Sequence, residues 1–200
     1  MQNFAHFKVV IFNLSYILLI VSEYGISEAS ESLLSFVKHC CSGSDKDELL
    51  LGSLWLQFFL ENPQNRTSFV KERIDFITVL IVQLKSVKST QIQYQLLFCL
   101  WLLTFDADNC TILLHLQDLV PSLIDVAKLA VKEKVVRLVI SCLSNLLKFA
   151  KFQAIPQFVG SKVSQFVETL QSRTYSDQEF LDDINSLAEE LKSEIQKLRY

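Results

Sequence analysis

Leu54-Trp55-Leu56-Gln57-Phe58-Phe59 recurs forty-six residues later as Leu100-Trp101-Leu102-Leu103-Thr104-Phe105, and this pair of windows decides the fold. A third window, Cys142-Leu143-Ser144-Asn145-Leu146-Leu147, aligns through Cys99-Leu100 at an offset of 43. The match extends beyond the apolar runs. Asn65 and Asn109 stand 44 apart in polar breaks, and Asp75-Phe76-Ile77 precedes Asp118-Leu119-Val120 by 43. Residues 91–95 and 134–138 are also 43 apart, and each leads into an apolar helix. Self-similarity at about 40–47 residues is the period of armadillo and HEAT units. The expected fold is therefore all-α, an armadillo/HEAT-type helical-repeat solenoid.

Apolar residues follow the 3.6-residue period in segments 28–41, 45–61, 66–86, 90–105, 109–116, 118–131, 133–150, 161–172 and 177–199. In 133–150, Val135, Leu138, Val139, Cys142, Leu143, Leu146 and Leu147 make a broad stripe. That width suits a helix packed on two sides. Pro63, Pro121 and Pro156 fall in breaks or candidate first turns, where a missing N–H costs little. Ser176-Asp177-Gln178-Glu179 reads as a capping box, and Phe180, Ile184, Leu187, Leu191, Ile195 and Leu198 form a strip expected to close the solenoid. The organisation expected is an apolar segment over 1–27, repeats over 28–175 and an acidic amphipathic helix over 176–200.

Composition agrees. Only 4 Gly and 3 Pro interrupt 200 residues, too few for a turn-rich strand fold. The net charge of −3 sets up no field for nucleic acid. Charge is nonetheless uneven. Eight Lys/Arg lie between Lys128 and Arg173 against Glu133 and Glu168, while seven acidic residues follow Ser176. The basic stretch, with Lys132, Lys134 and Arg137 as candidate contacts, would suit an acidic partner.

Five scattered cysteines, without a CxxC or a His–Cys cluster, read as buried free thiols and not as metal ligands. No phosphate loop, dinucleotide-binding glycine motif or nucleophile elbow is present. His39 beside Cys40 and Cys41 cannot pair well, since helix neighbours point about 100° apart. Asp182-Asp183 and Glu189-Glu190 read as a solvated face. No catalytic residue, cofactor, metal or small-molecule substrate is expected.

One stretch points elsewhere. Residues 9–21, VVIFNLSYILLIV, follow Lys8 like a short signal core, and Asn13, Asn65 and Asn109 head formal glycosylation sequons. The run is short of the roughly 20 residues of a membrane span, and no small-residue cleavage site follows. A secreted or anchored helical protein is one alternative. A generic armadillo/HEAT scaffold with another partner is a second.

Three segments carry a family resemblance. Residues 91–105 (QIQYQLLFCLWLLTF), 131–137 (VKEKVVR) and 175–191 (YSDQEFLDDINSLAEEL) resemble, in order, three helices of the family of V-type proton ATPase H subunits. Residues 28–90 fit by repeat pattern alone, and 1–27 show no match. The resemblance implies a non-catalytic accessory subunit of the cytosolic ATPase sector, at the cytoplasmic face of vacuolar and other endomembranes. Its implied partners are other V-ATPase subunits, above all the peripheral stalk. The family's second helical domain has no counterpart before Tyr200, so a truncated form is expected and the inhibitory role is not carried over. Trp55 and Trp101 read as equivalent, with Phe59 and Phe105 four residues later where nuclear-import armadillo receptors place Asn. Trp101 is a candidate groove contact.

Overall fold

The computed structural model describes residues 28–175 and 177–197, all of whose regular structure is helical. The 9–21 run, the Asn13 sequon, Ser176 and Leu198 lie outside the described residues. The helices are α1 (Glu28–Ser42), α2 (Lys46–Glu61), α3 (Pro63–Glu72), α4 (Ile74–Ser86), α5 (Thr90–Leu103) and α6 (Ala107–Leu114). They continue with α7 (Leu119–Leu129), α8 (Glu133–Phe149), α9 (Lys151–Gly160), α10 (Val163–Gln171) and α11 (Gln178–Lys197).

These fall into three ladders. Helices α3, α6 and α9 start at Pro63, Ala107 and Lys151 and pack in succession. So do α1, α4, α7 and α10, and likewise α2, α5, α8 and α11. Each unit is thus a short helix, a middle helix and a long third helix. The third-helix ladder makes the closest contacts of the three taken together, the arrangement expected of the inner side of a solenoid. One continuous apolar core runs through it, from Leu34 to Leu191. Burying that core is the main favourable term in folding.

Two expectations are corrected. The single helix over 66–86 is two, broken at Arg73 (φ −128°, ψ 36°). The halves belong to different ladders, and Phe69 and Phe76 meet across the bend at 5.4 Å. Pro156 lies not in a break but inside α9. A proline there removes a helix hydrogen bond. Buried Ala154, Ile155 and Phe158 hold the helix in place nonetheless. Lys162, at φ 57°, makes the left-handed turn into α10.

Helix α11 packs on the last described unit, with Phe180, Ile184, Leu187 and Leu191 buried against α8, α9 and α10. Its cap is supplied by Asp177, whose Oδ1 accepts from the Glu179 N–H at 3.0 Å.

Ion pairs link neighbours within and between ladders. Lys38 pairs with Asp75 and Arg73 with Glu31, joining α4 and its leading turn to α1. Lys151 reaches Glu194 at 3.1 Å.

Candidate protein-docking surface

Helices α2, α5 and α8 start at Lys46, Thr90 and Glu133, so equivalent positions are 44 and then 43 residues apart. This register brings four rows to the surface of the inner ladder: Leu50, Tyr94 and Arg137; Leu54, Phe98 and Ser141; Gln57, Trp101 and Ser144; Glu61, Phe105 and Lys148. All twelve are half-buried or exposed, while their helix neighbours on the other face are in the core. The surface is aliphatic (Leu50, Leu54) and then polar (Gln57, Glu61) on α2, aromatic on α5, and hydroxylic and basic on α8.

The α5 stripe is built by spacing. Tyr94, Phe98 and Trp101 recur at four and three residues on one face of α5, and Phe105, four further on, extends the row from the turn that follows the helix. Their rings touch in sequence, with centroids 6.0, 5.2 and 4.7 Å apart. Edge-to-face packing of this kind fixes ring orientation and adds about 0.5–1.5 kcal/mol per pair. A cation caps each end. Lys134 Nζ sits 4.6 Å from the Tyr94 centroid, and the Arg66 guanidinium 5.4 Å from that of Phe105. Arg66 is held there by donating to the carbonyls of Leu60 (2.7 Å) and Glu61 (3.0 Å), the open end of α2. The Trp101 indole N–H and the Tyr94 hydroxyl have no hydrogen-bond partner among the described residues. Trp and Tyr side chains held in this way are among the residues that dominate interface hot spots.

Polar contacts lock the rows together from below. The Cys99 thiol donates to the Ser53 carbonyl at 3.2 Å, and Asn145 Nδ2 to Thr104 Oγ1 at 2.9 Å. Gln95 donates to Gln57.

The four residues singled out by sequence are not alike. Trp101 sits in the middle of the stripe and Lys134 at its end. Lys132 is the exposed residue before α8 and forms no ion pair among the described residues. Arg137 is a joint. It donates to Glu133 (3.0 Å) and Asp177 (2.6 Å) and lies 4.7 Å over the Phe180 ring, fastening α8 to α11. Asp177 answers by a carboxyl held below its ordinary 3.8, chiefly by the Arg137 hydrogen bond.

The equivalence of Trp55 and Trp101 does not hold. An offset of 46 overshoots the 44-residue register by two residues, or about 200° around the helix. Trp55 is accordingly a core residue, only 6% exposed, and aligns with Cys99. Tyr94 and Phe98, which sequence reasoning did not single out, were findable from the spacing that links them to Trp101.

Asn65 and Asn109 are both buried, so neither sequon is open to an oligosaccharide in the folded chain. Asn65 instead donates to the Phe59 carbonyl at 2.8 Å. All five cysteines are buried and free. Burial pushes the Cys41 and Cys110 thiols up to about 12 and raises Cys99 and Cys142 as well. Among the described residues no three His, Cys, Asp or Glu converge as metal ligands, and no single helix is long and apolar enough to cross a membrane. Helices α6 and α7 would be so only together, and they are bent by 88° with most of their apolar side chains, though not Leu129, in the core.

The family profile for the H subunit of the V-ATPase matches residues 9–191. The chain belongs to the V-ATPase H-subunit family. The match starts at residue 9, so it takes in most of the segment that the three motifs left unmatched. Relatives include the V-type proton ATPase H subunit of Drosophila melanogaster, 28% identical over 82% of this chain and 36% of that protein. A probable V-type proton ATPase H subunit of Caenorhabditis elegans is 32% identical over 72% of this chain and 31% of its own length. One from Oryza sativa subsp. japonica is 33% identical over 66% and 29%. The chain thus spans about a third of the length of the curated relatives it matches. Two engineered proteins solved by the Northeast Structural Genomics Consortium superpose with TM-scores of 0.65 and 0.66. Each is 14% identical over 80% of this chain, covering 63% and 37% of their own chains, a likeness of fold alone.

Proposed function

We propose that this chain serves as a non-catalytic accessory subunit of the cytosolic sector of a vacuolar-type proton-pumping ATPase, and that it binds the peripheral stalk. It would act at the cytoplasmic face of vacuolar and other endomembranes, attached through protein partners and not inserted in the bilayer. Family membership supports the complex, and the inner-ladder surface supports the mode. A row of half-buried aromatics with Lys134 and Arg66 at its ends fits one apolar, acid-flanked face of a helix laid along it. The polar groups of this surface are spread along three helices, which suits the holding of an extended partner.

The test is a pull-down of purified peripheral stalk by the full chain. Phe98→Ala with Trp101→Ala is expected to weaken capture by about tenfold or more, the scale of losing hot-spot rings. Lys132→Glu with Lys134→Glu should weaken it most at low salt, where charge acts over about 10 Å and beyond. Arg137 is left intact because its reversal would open the α8–α11 joint. Capture of the stalk by wild type and both variants alike would overturn this surface. Absence of capture, with a different protein retained, would favour the generic scaffold.

A further inference from the structure

A second binding site is formed where the loops between middle and third helices of successive units face each other. The α4–α5 loop (87–89) and the α7–α8 loop (130–132) border a groove of about 610 Å³. Its floor is apolar, with Val126 in the core and Val87 and Ala130 packed against it. Its walls carry Lys85, Lys88 and Lys128, all exposed, none of them in an ion pair or hydrogen bond among the described residues. Leu129 and Val131, 82% and 91% exposed, stand on one lip. Such large aliphatic side chains stay in water only at a cost, and two together mark a contact site more than a random surface.

The field inside is positive for another reason. Third helices α2 and α11 have Asp45 and Asp177 accepting from their first-turn N–H groups. Helix α5, which opens on this groove through Thr90 and Gln93, has Ser89 at the cap position, no side-chain cap and no acidic residue in its first turn. Its first-turn N–H groups and helix dipole add partial positive charge to that of the lysines. Asp125 is the one carboxylate in the groove.

We infer that the groove binds an acidic peptide segment of a partner protein, with aliphatic side chains against Leu129, Val131 and the floor, and carboxylates toward Lys85, Lys88 and Lys128. A peptide fits better than a bilayer. The lysines line a concavity between two loops, whereas a flat anionic surface reaches only the protruding lip. Asp125 can meet a backbone amide of a peptide but would repel a sheet of phosphates. The site is separate from the aromatic stripe and does not rest on the stalk reading.

Fluorescence anisotropy of the full chain with a short labelled peptide, a Leu-Leu pair flanked by Glu and Asp, tests this. Wild type should bind it and reject the same peptide with lysines in place of the acids. The substitutions Lys85→Glu, Lys88→Glu and Lys128→Glu together should weaken binding by about a hundredfold, and by less at high salt. Leu129→Ser with Val131→Ser should weaken it about tenfold at every salt concentration. Phe98→Ala with Trp101→Ala should leave it unchanged, so failure here is distinct from failure of stalk capture. Equal binding of acidic and basic peptides, or an unchanged lysine variant, overturns the inference. So does lysine-dependent capture by phosphatidylserine vesicles with no peptide binding, which would assign the groove to a membrane.

Discussion

Gly52 is the position where a single methyl group decides most. An added Cβ would sit 2.9 Å from Cys40 Cβ, closer than real contacts allow, and 3.0 Å from Cys41 Sγ, tighter than nearly all of them. The glycine lets α1 and α2 approach, and its cost in helix propensity is about 1 kcal/mol against alanine. Gly52→Ala therefore recovers that propensity but overpacks the interface, which costs about 1–3 kcal/mol. A lower urea midpoint with unchanged slope is the expected result, and a higher midpoint would show that the two helices separate freely. The thiols give a second prediction at this scale. With Cys41 and Cys110 pushed up to about 12 and all five cysteines buried, hardly any thiolate exists at neutral pH. Alkylation of the native chain by a maleimide should be slow at every cysteine and fast at all five in denaturant. Rapid labelling of a native thiol would place that residue outside the core described above.

The α8–α11 joint sets the behaviour of the last element. Its Asp177 carboxyl titrates below the ordinary 3.8 because Arg137 stabilises the charged form. A lowered folded-state value means that the contribution is present above the unfolded value and is lost as pH falls through the folded one. Desolvation works against the charge on Arg137, but its hydrogen bonds to Asp177 and Glu133 outweigh that and raise it above its ordinary value, so it stays charged throughout. Glu194, lowered chiefly by Lys197 and then Lys151, works in the same direction at the other end of the helix. The protection factors of α11, with the intrinsic pH dependence of amide exchange divided out, should fall below about pH 4, before those of α5 or α8. In Asp177→Asn the acid step should shrink, and α11 protection factors indifferent to pH in the wild type would contradict the joint.

A stack of repeats has stability distributed along one dimension, each unit held by its neighbours. Helices α5 and α8 are flanked on both sides within the inner ladder, whereas α11 has a ladder neighbour on one side among the described residues. Amide protection should therefore be highest in α5 and α8 and fall toward α11, and uniform protection would indicate a single cooperative unit. Much of this architecture was legible without coordinates. The 43–46-residue recurrence and the 3.6-residue stripes specify helices of a repeat, because apolar periodicity dictates which faces must be covered. The aromatic spacing from Tyr94 to Trp101 likewise places three rings on one face whatever surrounds them. Other features were illegible for physical reasons. The bend at Arg73 exists because α3 and α4 join different ladders, although local periodicity runs on through it. Helix α9 persists across Pro156 because packing of Ile155 and Phe158 outweighs a local breaker. Trp55 and Trp101 share a sequence window but face opposite ways, since register is set by packing between helices and not by identity. The grouping of Lys85 and Lys88 with Lys128 came from tertiary structure alone, about forty residues apart in sequence and adjacent in space. Sequence by itself determined most of the helices, the repeat and the apolar faces, which are local consequences of residue pattern, but not α9 (Lys151–Gly160) or the break at Arg73. Which side chains meet, and so where a partner can dock, depended on the ladder register, a property of the whole stack.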